Sequence, residues 1–266
     1  MGDYFLGPYQ HVVALGLSME WHWLLIGLFF PLFPLSIGFN ALLNATNTPW
    51  LKAILLLVWP QIGIALIIQH QATIPEWLQY WGLLSSGLYA FRMLAMREVN
   101  IWIGYLATSS WALLWVPAFD QLSEHQLQIF AFGFSLPLAI MALISGEIAK
   151  RYGAAYTGLY GGLAIANPRL TGVLVVSVFA AIATPIFPTF FAMLHTLVLS
   201  QPLPSIWLVM IWGTWSWCAA RLLQGLIVGP ANLPYPRDLS VGMTWAMSLL
   251  LGALAILGLI YTGNLS

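Results

Sequence analysis

Charged side chains are scarce in this sequence, which has eight Lys or Arg and eight Asp or Glu among 266 residues, or 6%. A soluble domain carries roughly 25% charged residues. Because 61% of the residues are hydrophobic, the composition indicates a membrane protein. The net charge of zero argues against a nucleic-acid partner recognised through a basic surface.

Cysteine is nearly absent too, since Cys218 is the only one in the chain. A single cysteine excludes a disulfide within the chain. No His, Cys, Asp or Glu residues have the spacing of metal ligands, and no Ser/His/Asp or Cys/His set is visible in the sequence. We therefore predict no catalytic residue, metal or cofactor, and a membrane transport or accessory subunit rather than an enzyme.

Long apolar runs fill the rest of the sequence. A membrane-spanning helix needs about 20 mostly apolar residues, and none of the runs alternates in polarity as a membrane β-strand does. We predict an all-α polytopic bundle of about eight transmembrane helices, which forms one domain over residues 21–266 after an interfacial segment, residues 1–20. The predicted spans are 21–43, 51–69, 76–96, 101–118, 126–149, 170–198, 205–228 and 241–262.

The few charges predict an orientation. If the spans alternate in direction, every Lys and Arg falls on the side reached after spans one, three, five and seven, and the other side carries acidic residues only. The positive-inside rule makes the basic side cytoplasmic and places both termini outside. We expect the cytoplasmic membrane of a bacterium or archaeon. The bases are Lys52, Arg92, Arg97, Lys150, Arg151, Arg169, Arg221 and Arg237, opposite Asp3, Glu20, Glu76, Asp120 and Glu124.

Prolines interrupt two of the predicted spans, around residues 31–49 and 185–188. Broken helices in transporters free backbone carbonyls and amides that bind ions or water. His195 follows the second break, and a histidine there has the pKa range of a proton relay. Its alternative role is to satisfy a backbone group freed by the break, and we favour that structural role.

Ionisable groups at membrane depth are candidate functional residues because they are costly to bury. Lys52 begins the second span just after Pro49, where either an ion-path lysine or a snorkelling lysine would lie. Glu147 precedes Lys150 and Arg151 by one turn, so either a proton-loading carboxylate or a local salt bridge accounts for it. Arg221, about two turns inside the seventh span, reaches the headgroups by snorkelling. We favour the structural role in each case.

Four stretches resemble the proton-translocating antiporter-like membrane subunits. This family includes the L and M subunits of respiratory complex I, Mrp antiporter subunits and the membrane subunit of the DAB inorganic-carbon transporters. The stretches are LYGGLAIANPRLTGVLVVSVFAAIATPIFPTFF (159–191), LPLAIMALISGEIAKRYG (136–153), REVNIWIGYLATSS (97–110) and PLSIGFNALLNA (34–45). The last of these favours the inorganic-carbon branch.

The sequence departs from the family pattern at its titratable positions. Asn100 stands where the family has a lysine, Glu98 replaces an aspartate, and Asn40 replaces a histidine. The charge that follows the second broken helix in the family is missing, and His195 lies nearby. Lys52 matches the lysine of the first broken helix only loosely. The resemblance covers about residues 20–200, so we expect a shortened member without the family's early helices and their glutamate.

The resemblance implies an accessory membrane subunit of a proton-coupled inorganic-carbon (CO2/bicarbonate) uptake complex. Its implied partners are the lipid bilayer, a full-length antiporter-like membrane subunit that carries the protons, and a cytoplasmic zinc-containing subunit that hydrates CO2. One alternative is an ion or proton path completed at a subunit interface by Lys52, His195 and Glu147, with Arg221 and Glu98 as further candidates. The other is an accessory subunit of a complex I, hydrogenase or Mrp assembly.

Overall fold

A computed structural model describes residues 21–70, 73–119, 122–159, 161–230 and 236–263. The predicted interfacial segment, 1–20, lies outside these residues. The elements in the described part of the chain are α-helices. They are α1 (21–29), α2 (Ser36–Ala45), α3 (Pro49–His70), α4 (Glu76–Met93), α5 (Val99–Leu113), α6 (Trp115–Phe119), α7 (Glu124–Tyr152), α8 (Leu163–Ala166), α9 (Pro168–Ala181), α10 (Pro188–Leu199), α11 (Pro202–Ile227) and α12 (Val241–Gly263).

The predicted all-α membrane bundle is confirmed. Five segments are long and apolar enough to cross a membrane: α3, α5 with α6, α7, α11 and α12. The α1–α2 pair, α4 and the α9–α10 pair coincide with the other three predicted spans. The predicted boundaries differ from the observed ones by a few residues, because helix ends depend on caps that hydropathy does not register.

Both predicted breaks are present. The first predicted span is two helices, because α1 ends at residue 29 and α2 begins at Ser36, with Pro31 and Pro34 between them. The sixth is also two helices, α9 and α10, and Pro188 is the first residue of α10. Proline lacks the backbone N–H and clashes with the preceding turn, so it suits the first turn of a helix and interrupts its interior.

The long α7 shows that tertiary context can override this rule. It continues for 29 residues through Pro137. A capping box between Ser123 and Gln126 starts the helix, and Gly153 ends it with a φ of 84°, a left-handed conformation that glycine adopts at little cost. The connection to α9 then contains the short α8.

The helices form an inner and an outer group. Over the most apolar stretch of each segment, 83% of the residues of α5–α6 and 72% of those of α7 are buried, against 22% for α12. The central α7 packs against α3, α5 and α9, and α4 covers the other side of α5. Trp23 on α1 is buried against the Trp115 ring, with 6.2 Å between ring centroids.

Candidate functional site

A cavity of about 390 Å³ collects two of the predicted transport residues. It lies between the first turn of α3, the first turn of α5 and the second half of α7. Lys52 and Glu147 both line it, and Lys150 and Asn100 lie on its walls. The structure thus brings together groups that are about 95 residues apart in the sequence.

Glu98 lies beside this cavity, at the N-terminal end of α5. Its carboxylate acts electrostatically on Lys52 and accepts a hydrogen bond from the Tyr156 hydroxyl at 3.1 Å. Because that hydrogen bond and the negative charge both favour the protonated phenol, they raise the pKa of Tyr156. A backbone bridge between Glu98 and Tyr156 ties the α7–α8 loop to the start of α5.

Glu147 forms an ion pair with Arg151, one turn later on α7. This is the local salt bridge predicted from the sequence spacing. The Arg151 guanidinium also donates to the Glu147 carbonyl at 2.9 Å and to the Arg237 carbonyl at 2.7 Å. The carboxylate is therefore neutralised by a base that is itself held by the segment before α12.

Asn100 supplies the cavity with an amide in place of a charge. Its Oδ1 accepts a hydrogen bond from Ser145 Oγ at 3.1 Å, which links α5 to α7. An amide neither gains nor loses a proton in the physiological range, so Asn100 accepts and donates hydrogen bonds but stores no proton.

A group of neutral polar side chains deeper in the bundle is hydrogen-bonded within itself. Asn40 on α2 is 8% exposed, and its Nδ2 donates to Thr108 Oγ1 at 2.8 Å and to the Ser36 carbonyl at 3.0 Å. The Ser36 hydroxyl is 2.8 Å from the Tyr89 hydroxyl. Gly104 makes room for the amide, because a Cβ at that position would lie 2.8 Å from Asn40 Oδ1.

A second buried group joins α4, α5 and α11. The Ser86 and Ser109 hydroxyls are 3.0 Å apart, and Trp215 Nε1 on α11 donates to Ser109 Oγ at 2.8 Å. A separate hydrogen bond, from Trp111 Nε1 to Ser135 Oγ at 3.1 Å, joins α5 and α7. These hydroxyls have partners within the bundle, so they bind helices together.

His195 lies apart from the cavity, on α10. Its ring approaches Phe130 edge-on, with 6.4 Å between centroids, and its Nδ1 is buried with no hydrogen-bond partner among the described residues. The backbone groups freed by the second break are reached by other side chains. Thr189 Oγ1 donates to the Ala180 carbonyl at 3.0 Å, and Trp212 Nε1 donates to the Ile182 carbonyl at 3.0 Å.

Arg221 belongs to a different cavity, of about 730 Å³, between α4, α11 and the loop after α7. Its Nη1 donates to the Leu94 carbonyl at 3.0 Å, just past the end of α4. A cation beside the last carbonyls of a helix stabilises that end. This contact connects α11 to the end of α4.

The buried hydroxyl and indole contacts were not predicted from the sequence. Ser85 and Ser86 are adjacent in α4, and Thr108, Ser109 and Ser110 are consecutive in α5, so each apolar helix contains a short polar run. Hydroxyl side chains in an apolar membrane helix predict contact with another helix. The partners themselves depend on how the helices pack, which the sequence does not reveal.

Comparison with known proteins gives a likeness in structure only. No protein-family model matches the sequence, and no curated protein is significantly similar to it. A chain of the Mrp complex from Dietzia sp. DQ12-45-1b superposes with a TM-score of 0.79 at 13% identity, over 90% of this chain and 55% of that one. A chain of respiratory complex I from Thermus thermophilus superposes with a TM-score of 0.76 at 18% identity, over 88% and 52%.

A third similar chain comes from the membrane-bound sulfane sulfur reductase, an archaeal respiratory membrane complex. Its TM-score is 0.75 at 15% identity, over 90% of this chain and 52% of that one. This chain thus spans about half the length of the chains that it matches. The resemblance to antiporter-like membrane subunits is confirmed at the level of the fold, because this chain is a membrane helical bundle built like subunits of these complexes.

Proposed function

We propose that this chain is a membrane subunit of a multi-subunit complex and that its own core does not carry protons. The observation behind the proposal is that two buried groups of uncharged side chains, Ser36, Asn40, Tyr89 and Thr108 in one and Ser86, Ser109 and Trp215 in the other, are hydrogen-bonded among themselves between α2, α4, α5 and α11. The likeness of its fold to chains of three membrane complexes supports a role within an assembly.

The physical argument concerns proton storage. A relay needs groups that gain and release a proton near neutral pH, as histidine and perturbed carboxylates or lysines do. Asn40, Asn100, Thr108 and Ser109 have no such equilibrium. A chain of these residues contributes hydrogen bonds between helices, and a proton moving through it would have no group to rest on.

The more specific proposal is an accessory subunit of an inorganic-carbon uptake complex. It rests on the resemblance of residues 34–45 to the membrane subunit of such transporters. The partners would be a full-length antiporter-like subunit, which carries the proton path, and a cytoplasmic zinc-containing subunit, which hydrates CO2. In this role the bundle offers its outer helices as an intramembrane docking surface.

A mild-detergent purification of the tagged chain from its native membrane tests this proposal. Co-purification of a longer antiporter-like subunit with a zinc-containing soluble protein would support the inorganic-carbon role. Redox subunits or small Mrp subunits would instead identify a complex I, hydrogenase or Mrp assembly. Isolation of a stable homo-oligomer without other chains would overturn the accessory-subunit proposal.

A second candidate function is an ion or proton path completed at an interface with another subunit. It is favoured by the cavity that brings Lys52 and Glu147 together beside Glu98. In the purified complex, Lys52→Gln, Glu98→Gln and Glu147→Gln would then each abolish proton-coupled transport, measured with a pH-sensitive dye in liposomes. His195→Gln tests the remaining candidate in the same assay.

The matched control for the second candidate is Glu124→Gln, which changes a carboxylate at the opposite end of α7. If all the cavity variants transport as the control does, the path does not run through this chain. If they assemble normally and lose transport while the control retains it, the non-conducting proposal is wrong.

A further inference from the structure

We propose that the groove between α9 and α12 binds an anionic phospholipid, with its phosphate at Arg169 and Arg237 and one acyl chain along the groove. This assignment is independent of which complex the chain joins. It rests on a groove of suitable length that opens on the exposed faces of two apolar helices, and on two arginines at one end of it that form no ion pair with a described residue.

The groove itself is a cavity of about 490 Å³ with mainly apolar walls. Gly172 and Val176 line it from α9, and Ser248, Gly252 and Ala255 line it from α12. Val176 is 41% exposed, and the two glycines are exposed as well. A Cβ built on either glycine would meet nothing within 4 Å, so the space between the helices is open to the surroundings of the bundle.

The length of the groove corresponds to one leaflet of a bilayer. Its residues on α12 extend from Thr244 to Ala255, which at a rise of 1.5 Å per residue is about 16 Å. The hydrocarbon core of a membrane is about 30 Å thick. Phe187, at the break between α9 and α10, lines the groove as well. An acyl chain that enters from the basic end therefore lies within a single leaflet.

The basic end of the groove adjoins a second cavity, of about 840 Å³, that contains charged side chains. Arg169 and Pro168 line both cavities. Arg151 and Arg237 also line the second cavity, together with Glu147 and Asp238. Because Arg151 is paired with Glu147, a headgroup placed there would meet the guanidinium groups of Arg169, from α9, and of Arg237, from the segment that precedes α12.

The two carboxylates of this cavity are already occupied. Glu147 pairs with Arg151. Asp238 accepts from the backbone N–H groups of Arg169 at 2.9 Å, through Oδ2, and of Leu170 at 3.2 Å, through Oδ1, so it caps the start of α9. Among the described residues no carboxylate lies within ion-pair distance of Arg169 or Arg237. Arg169 Nη1 donates to the Leu239 carbonyl at 3.3 Å, so the other donors of that guanidinium and the Arg237 guanidinium are available for a phosphate.

The charge on the lipid follows from this cluster. A headgroup with a net negative charge, such as phosphatidylglycerol, complements the two exposed guanidinium groups, whereas the choline of phosphatidylcholine brings a cation to the same place. If the basic side is cytoplasmic, the site faces the leaflet in which anionic lipids raise the affinity of basic protein segments.

Native mass spectrometry of the full chain with equal amounts of phosphatidylglycerol and phosphatidylcholine tests the site. We expect retention of one phosphatidylglycerol with a preference of about tenfold or more over phosphatidylcholine. Excess inorganic phosphate should leave the lipid in place, because the acyl chain contributes to its binding. Equal retention of both lipids would overturn the proposal, and displacement by phosphate alone would show a site for a free anion instead.

Two sets of variants separate the groove from the arginines. Gly172→Leu and Gly252→Leu fill the groove and should abolish retention of the lipid. Gly213→Leu on α11 is the matched control, since a Cβ there also meets nothing within 4 Å. Arg169→Gln with Arg237→Gln should reduce the lipid preference to about one, while Arg97→Gln, at another cavity, should not.

Each variant is compared with the parent chain by its thermal unfolding, so that a folding defect is not mistaken for loss of the site. Loss of lipid from a groove variant that unfolds like the parent supports the proposal. If the filled groove retains the lipid as the control does, the proposal is wrong. If the double arginine variant still prefers phosphatidylglycerol tenfold, the assigned headgroup position is wrong.

Discussion

The two broken helices of this bundle are stabilised in different ways. Between α1 and α2, the backbone groups that lack a partner within a helix form hydrogen bonds with side chains from α3, α4 and α6. Three indoles donate to carbonyls, and one hydroxyl accepts from an amide. The contacts are Trp59 to Leu28 O at 3.1 Å, Trp115 to Phe30 O at 3.1 Å, Trp81 to Phe33 O at 2.7 Å, and Phe33 N to Ser85 Oγ at 2.9 Å.

The second break, between α9 and α10, depends more on its own residues. Thr184 Oγ1 donates to the Phe179 carbonyl at 2.9 Å, and Thr189 closes the turn from the other side. Among the described hydrogen bonds to this break, only the one from the indole of Trp212 comes from a distant helix. Ala183 and Ile186 have positive φ angles of 59° and 91°, which are unfavourable for residues with a Cβ.

A proline break can therefore be stabilised by side chains of the core, as the first is, or formed locally at the cost of backbone strain, as the second is. The first break lies among buried aromatic rings, so its geometry depends on several helices at once. The second keeps a β-branched side chain, Ile186, in a strained conformation while it is 52% exposed. We expect the first break to be the more rigid and the second to be the more sensitive to its immediate neighbours.

The largest expected effect comes from the close approach of α12 to the second break. A Cβ on Gly258 would lie 2.2 Å from the Ile186 carbonyl oxygen and 2.9 Å from the carbonyl carbon of Phe187. Gly258→Ala should therefore force the backbones apart and cost about 2–4 kcal/mol of unfolding free energy. Thermal unfolding in detergent measures the loss.

The control for this substitution is Gly252→Ala on the same helix, where a Cβ meets nothing within 4 Å. Because alanine favours the helix over glycine, this change should be neutral or stabilising by up to about 1 kcal/mol. Equal behaviour of the two variants would mean that α12 does not rest on the second break.

Next in size is the removal of an indole from the first break. Trp115→Phe eliminates the donor to the Phe30 carbonyl and leaves space where a fully buried ring system packed. The lost hydrogen bond and the cavity together should cost about 2–3 kcal/mol. Trp217→Phe, at a ring that is 65% exposed, provides the control and should change stability by less than about 0.5 kcal/mol.

The corresponding change at the second break is Trp212→Phe. Its indole donates to the Ile182 carbonyl, but the side chain is only partly buried, so we expect a smaller loss of about 1 kcal/mol. The ratio of this loss to that of Trp115→Phe, from the same unfolding assay, quantifies the comparison between the breaks. If Trp212→Phe costs more unfolding free energy than Trp115→Phe, the second break, not the first, depends more on its indole.

The smallest expected effect is a gain in stability. Ile186→Gly removes the Cβ from a residue whose φ is 91° and should stabilise the chain by up to about 1 kcal/mol. As a control, Leu194→Gly in α10, at an exposed position of regular helix, should destabilise by about 1 kcal/mol. Destabilisation by both substitutions would show that the conformation at Ile186 is not strained.

Several features of the fold and of the candidate site were predictable because they are local. The spans follow from apolar runs of sufficient length, the breaks follow from Pro34 and Pro188, and the Glu147–Arg151 pair follows from a spacing of four residues along one helix. The assembly of Lys52, Asn100 and Glu147 around one cavity was not predictable from spacing, because it requires α3, α5 and α7 to meet at the same end.

By itself, then, the sequence determined the membrane class, the apolar helical segments and the positions of the breaks, since apolar length and the missing proline N–H act within one segment. Tertiary structure alone decided which side chains form hydrogen bonds with the backbone of the first break, that Trp23 is buried, and where a groove remains between α9 and α12. An indole such as that of Trp115 satisfies a carbonyl 85 residues away only once the helix faces have been chosen by packing over the whole bundle.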